Sequence, residues 1–219
     1  MKLINTLLLS FTFLASAHAE TPMQTLSTSP RIYYFKNFLS ANECDHIMKE
    51  ATPHLERSTV LAEADEGKVD YRRTSYGMFF ASNPQDKKLR ALEERIAKLT
   101  NTPIENGEAL QVLRYGVGGE FQPHHDFFVK TEAGGVGALN RGGQRVATMI
   151  IYLNTPEKGG ETVFPIAKVS ITPKKGDAVL FYNVTPTGEV DSKSLHGGSP
   201  VLGGEKWIIT KWIREGVFH

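Results

Sequence analysis

The chain has a single cysteine, Cys44, among 219 residues. It can form no internal disulfide, so stability has to come from packing. An excess of charge of one sign is also missing: 25 basic against 24 acidic side chains leave a net charge of +1. The basic residues are scattered, which removes the electrostatic footprint of a polyanion binder, and no nucleic-acid partner is expected. No internal repeat is visible. With 40% apolar residues, the length suits one compact domain with a full core.

The start of the chain differs from the rest. Lys2 precedes the apolar run Leu3 to Ala17, and Ala17-His18-Ala19 precedes Glu20. The run is too short and too polar for a membrane span, which needs about 20 apolar residues. A basic start, a short apolar stretch and small residues at the cut point predict a signal peptide over residues 1–19. Its cleavage would export the protein to a periplasm, a secretory lumen or the medium and leave no stable membrane span. An uncleaved signal that anchors the chain to a membrane is the alternative. Residues 20–30, rich in Thr, Ser and Pro, read as a short linker outside the fold, leaving residues 31–219 as one domain.

Ser40-Ala41-Asn42-Glu43 has the pattern of a capping box and predicts a helix to about Ala51. Leu89, Leu92, Ile96 and Leu99 predict a second helix from about Gln85 to Leu99, with Pro84 where a helix start tolerates it. After Ile104 come short β-type runs punctuated by Gly and Pro: Leu110 to Tyr115, Glu120 to Phe127, Val146 to Asn154, Thr162 to Phe164, Lys168 to Thr172, Ala178 to Tyr182 and Trp207 to Ile213. Helices first and strands after predict an α+β, mainly β fold. The expected form is a double-stranded β-helix (jelly roll) with N-terminal helices packed on one sheet. Glu63 to Arg72 and the glycine-bearing Val129 to Gly143 fit neither class, and the second reads as a lid.

The richest run is Phe121-Gln122-Pro123-His124-His125-Asp126-Phe127. In a strand, His124 and Asp126 share one face and His125 takes the other. An imidazole beside a carboxylate supplies two cis ligands. A second imidazole from another strand would complete a two-His-one-carboxylate triad, the donor set of non-haem Fe(II) oxygenases, with positions open for a chelating cosubstrate and O2. Lys206, Ile208, Thr210 and Trp212 also share a strand face, so Lys206 can point into a barrel among apolar neighbours.

From about Ile32 onward the chain resembles the prolyl 4-hydroxylases of the iron- and 2-oxoglutarate-dependent dioxygenase superfamily. The resemblance rests on Asn37-Phe38-Leu39-Ser40-Ala41-Asn42-Glu43-Cys44, Arg73-Thr74-Ser75-Tyr76-Gly77, Leu113-Arg114-Tyr115-Gly116 through Pro123-His124-His125-Asp126, Gly142-Gly143-Gln144-Arg145-Val146-Ala147-Thr148, Gly159-Gly160-Glu161-Thr162-Val163-Phe164-Pro165, and Leu195-His196-Gly197 through Lys206-Trp207. It implies that His124, Asp126 and His196 hold Fe(II), and that Lys206 receives the remote carboxylate of 2-oxoglutarate. Tyr115 and Thr162 would supply hydroxyls beside that carboxylate, and Arg73, Ser75, Glu108 and Arg145 would surround the peptide. It further implies O2-dependent hydroxylation of prolyl residues in a peptide or protein, with release of succinate and CO2 and with ascorbate as reductant. The same chemistry on a free amino acid or another side chain, or peptide binding without turnover, are the alternatives. His125 departs from the aromatic residue common at its position in relatives.

Overall fold

The computed structural model describes residues 23–58, 74–81, 85–132 and 134–219. The expected signal peptide, the Glu63 to Arg72 segment, Pro84 and Arg73 lie outside the described residues.

Strands β1 (Met23–Thr28) and β2 (Arg31–Phe35) form an antiparallel pair. This corrects the linker reading of residues 20–30, because Met23–Thr28 is the edge of the larger sheet. Helix α1 (Ala41–Ala51) starts at the expected capping box: the Ser40 hydroxyl accepts from the Glu43 amide at 3.3 Å, and the Ser40 amide donates to the Glu43 carboxylate at 2.8 Å. Helix α2 (Lys87–Thr100) is capped by Asp86, which accepts from the amides of Lys88 and Leu89. The helix thus begins two residues later than the expected Gln85, at a side-chain cap that the sequence reading did not name.

Between and after the helices come β3 (Glu56–Arg57), β4 (Tyr76–Phe79), β5 (Gln111–Tyr115), β6 (Phe121–His124), helix α3 (Gly135–Asn140), β7 (Arg145–Tyr152), β8 (Lys158–Gly159), β9 (Thr162–Phe164), β10 (Val169–Ile171), β11 (Ala178–Tyr182), β12 (His196–Gly198), β13 (Val201–Gly203) and β14 (Lys206–Arg214). The larger, eight-stranded sheet runs β1-β2-β11-β7-β14-β5-β4-β3, and the smaller, four-stranded one runs β10-β9-β12-β6. A short β13-β8 pair stands beside them.

The period-two alternation of the large sheet divides the core in two. Ala147, Met149 and Ile151 of β7 and Trp207, Ile209 and Ile213 of β14 face α1 and α2, where they meet Ile47, Leu89, Leu92 and Ile96. Ile150 and Tyr152 of β7 and Ile208 of β14 face the other way, toward Phe164 and Ile171 of the small sheet. The result is a mainly β, antiparallel jelly roll with helices on one outer face. The interior between the two sheets receives the polar side chains described next.

The Val129 to Gly143 segment is not a bare glycine loop. It contains α3, and the buried Arg214 ties it down by donating to the carbonyls of Ala138 and Gly143. Gly142 takes φ +116° with the Val217 carbonyl 2.8 Å from where a Cβ would lie. A side chain there would be strained twice over.

A candidate iron and 2-oxoglutarate site between the sheets

His124 ends β6 and His196 opens β12, and the two are direct partners across the antiparallel pair. Asp126 stands two residues beyond His124 in a bend, since β6 stops earlier than the sequence predicts. The carboxylate nonetheless turns to the same side: Asp126 Oδ1 is 3.6 Å from His124 Nε2, and Asp126 Oδ2 is 3.5 Å from His196 Nε2. One ligand atom from each of the three residues falls within 4.8 Å of the others. His125 points elsewhere, its Nε2 2.9 Å from the Ser192 carbonyl.

Both imidazoles are oriented by the main chain. His124 Nδ1 lies 2.8 Å from the Gln122 carbonyl and His196 Nδ1 lies 3.0 Å from the Ser194 carbonyl. A carbonyl can only accept, so each Nδ1 carries the proton and each Nε2 offers a lone pair. Phe121 stacks on His124 with ring centroids 3.7 Å apart, and Phe181 packs on His196 at 4.4 Å. Burial pushes His196 down to about 4, against the pull of Asp126, which keeps its ring neutral at pH 7. Burial alone would raise the Asp126 carboxyl, yet His196 and His124 hold it well below the usual carboxylate range. Two imidazole nitrogens and one buried carboxylate fit a divalent first-row metal.

The cleft continues past these residues to Lys206, the first residue of β14, paired in register with Tyr115 of β5. Lys206 is 4% exposed. Burial pulls its ammonium down to about 8, and Glu161, the carboxylate that raises it, forms no ion pair with it. A buried cation without a counter-ion is costly, and an anion entering the cleft would supply one. Gly160 makes room for the lysine, since a Cβ there would lie 3.2 Å from its Cδ. Thr162 is buried beside it and accepts from the Tyr152 hydroxyl at 2.8 Å, which leaves its own proton free for an acceptor. The residues present therefore fit a metal at one end of the cleft and a carboxylate at the other.

The expected peptide-binding residues divide. Ser75 is fully buried and its hydroxyl donates to the Ser58 hydroxyl at 2.9 Å. Glu108 is buried and receives Arg145 through Nε at 2.6 Å and Nη2 at 2.8 Å, and Arg214 Nε at 2.6 Å. Arg145 lies 3.9 Å above the ring of Trp212, which lines the cleft. Arg145 thus stands next to the cleft, against Trp212 of its lining, and Glu108 clamps it there.

The sequence reading passed over Thr148 and Asn183. Thr148 donates to Asp126 Oδ2 at 2.7 Å, and Asn183 Nδ2 donates to Thr148 at 3.0 Å. The signals for Thr148 were its place at the end of the Gly142 to Thr148 run and on β7 between Ala147 and Met149, which alternation sends to the opposite face.

Comparison with known proteins agrees with this geometry. Residues 110–214 match the 2OG-Fe(II) oxygenase superfamily. The chain is 41% identical over 215 residues to the probable prolyl 4-hydroxylase 10 of Arabidopsis thaliana, covering 89% of this chain and 72% of that one. The chain belongs to the prolyl 4-hydroxylase family. Prolyl 4-hydroxylase 1 of the same plant is 42% identical over 207 residues, covering 88% of this chain and 71% of that protein. Among solved structures, the viral collagen prolyl hydroxylase of Paramecium bursaria Chlorella virus-1, determined as its 2OG complex, aligns with a TM-score of 0.65 at 28% identity, covering 84% of this chain and 95% of that one. As a member of this family the chain is a 2-oxoglutarate-dependent dioxygenase whose cofactors are Fe(II) and 2-oxoglutarate. No described helix is long and apolar enough to cross a membrane.

Proposed function

We propose that this chain hydroxylates prolyl residues of a peptide or protein, with His124, Asp126 and His196 holding Fe(II) and Lys206 binding the remote carboxylate of 2-oxoglutarate. The observation that carries the reading is the convergence of the three ligand atoms in a cleft whose far end holds a buried lysine with no ion pair among the described residues. Bound there, iron and 2-oxoglutarate supply O2 activation coupled to oxidative decarboxylation, yielding succinate and CO2 and placing one oxygen atom on the substrate.

The protein's part is to bind, orient and exclude water. The main-chain carbonyls of Gln122 and Ser194 fix both ligand rings, so no rotation has to be frozen when the metal enters. Lys206 gives the cosubstrate a charge-assisted hydrogen bond, and Thr162 and Tyr115 flank it with hydroxyls. Leu113, Ile150 and Ile208 line the interior and keep it apolar. That environment strengthens the electrostatic contact and limits water at the reacting centre. Arg145, over the Trp212 ring, sits where an extended peptide would reach the cleft. Export through residues 1–19 belongs to the same reading, and the mass of the mature N-terminus tests it.

Incubation with Fe(II), 2-oxoglutarate, ascorbate and proline-rich peptides is expected to release succinate and add the mass of one oxygen to the peptide. Succinate with free proline alone would move the reading to a small-molecule substrate, and neither product across diverse peptides would overturn it.

A further inference from the structure

The Asp126 carboxylate has one oxygen already engaged. Thr148, on β7 of the large sheet, donates its hydroxyl proton to Oδ2 at 2.7 Å on the side away from the rings. Oδ2 also lies 3.5 Å from His196 Nε2, and Oδ1 faces His124 Nε2 at 3.6 Å with no hydroxyl or amide donor among the described residues. A threonine hydroxyl has one proton, and Asn183 settles where that proton goes. Its Nδ2 donates to Thr148 Oγ1 at 3.0 Å, fully inside the protein, where Thr148 and Asn183 are both 0% exposed. The opposite orientation of the Asn183 amide would set two acceptors, its Oδ1 and the Asp126 carboxylate, against a single proton. The orientation present costs something, because Asn183 Oδ1 is buried without a partner. Main-chain bonds hold the asparagine in place from both sides: its amide donates to the Val146 carbonyl and its carbonyl accepts from Asp191.

We infer that Asn183 and Thr148 are positioning residues that make Asp126 a one-oxygen ligand, keeping Oδ2 off the metal and a coordination position open for 2-oxoglutarate. The inference rests on the proposed metal site. A carboxylate that binds through both oxygens takes two positions around a metal, and a three-residue donor set works only while positions remain for a chelating cosubstrate and O2. A hydroxyl fixed on Oδ2 lowers that oxygen's basicity and holds the carboxylate plane, whereas an apolar group in its place frees Oδ2 to turn inward. Partners of this kind orient the ligand they touch, and their loss commonly costs about 10-fold or more in affinity.

The test uses Co(II) as the metal probe in the full-length protein. Its visible absorption reports coordination number, and 2-oxoglutarate is titrated in afterwards. Thr148→Val, which keeps the shape and removes the hydroxyl, is expected to change the Co(II) spectrum before any cosubstrate is added and to weaken 2-oxoglutarate binding by about 10-fold. Thr148→Ser should restore both. Asn183→Leu, which removes the directing amide and the orphaned oxygen together, should shift both readouts in the same direction by a smaller factor. Circular dichroism and the metal-free melting temperature control for folding, and Thr148→Ala serves if the valine variant does not fold. Spectra and cosubstrate affinities in these variants equal to wild type would overturn the inference. Failure of the unaltered protein to bind Co(II), or binding unaffected by His124→Ala, would instead overturn the metal site.

Discussion

At His124 the ring's Nδ1 is occupied by the Gln122 carbonyl and its Nε2 faces Asp126, whereas the neighbouring His125 turns to the Ser192 carbonyl and the Phe127 ring at the surface. His124→Ala is therefore expected to abolish iron binding and His125→Ala to retain most of it. Titration with Fe(II) under anaerobic conditions checks this, and comparable losses would contradict the site. Lys206 gives a pH dependence. Burial lowers its ammonium from an ordinary 10.5 to about 8, and a dicarboxylate binds the charged form. The dissociation constant for 2-oxoglutarate should stay flat below pH 8 and then rise by about 10-fold per pH unit above it, as calorimetry at stepped pH would show. In the cosubstrate-free protein the same depression costs stability below pH 8. Between there and 10.5 the unfolded chain holds a proton that the folded chain has lost, so this lysine's effect on stability improves as pH rises. The sequence distinguished His124 from His125 because alternation leaves few choices next to a carboxylate. It assigned no role to Thr148 or Asn183, because a hydroxyl on β7 and an amide just past the end of β11 have no spacing of their own.

At the scale of elements, α2 is fastened to the large sheet by more than its leucines. Glu93 of α2 and Lys211 of β14, both almost wholly buried, meet at 2.5 Å on the helix side of the sheet. Burial raises the Glu93 carboxyl and lowers the Lys211 ammonium, each against the attraction of the other. Gly107 admits the lysine, since a Cβ there would fall 2.2 Å from Lys211 Cε. Lys211→Met alone leaves a buried carboxylate uncompensated and should cost about 3–5 kcal/mol. Adding Glu93→Leu should recover most of that. Urea denaturation of the single and double variants reads the difference. Helices α1 and α2 were readable in sequence because caps and a 3.6-residue period are local signals. β1 was not, because most of its residues are exposed and main-chain pairing with β2 holds it at the sheet edge. β8, β12 and β13, of two or three residues each, are too short for any periodicity to register.

For the whole molecule, the two hydrophobic layers on either side of the large sheet are built from apolar side chains, with His196 packed on Phe181 at the edge of one of them. Chelation of the metal is accordingly expected to leave the far-ultraviolet circular dichroism unchanged. The melting temperature should fall only by what ligand binding had added, and it should rise again stepwise with metal and then 2-oxoglutarate. The jelly roll itself was readable from the order of helices and β-runs together with the resemblance of several ordered motifs, although the β5 and β14 register that sets Lys206 beside Tyr115 needed the folded chain. That register gives the sandwich a property of its own. The two histidines ride on the small sheet and the lysine on the large one, so the gap between the sheets works as a caliper closed on a molecule of fixed length. A dicarboxylate one methylene shorter than 2-oxoglutarate should seat one end and leave the other short of its lysine, and one a methylene longer should have to buckle. Chain length, more than acidity or shape, would then decide which keto acids compete for the cleft.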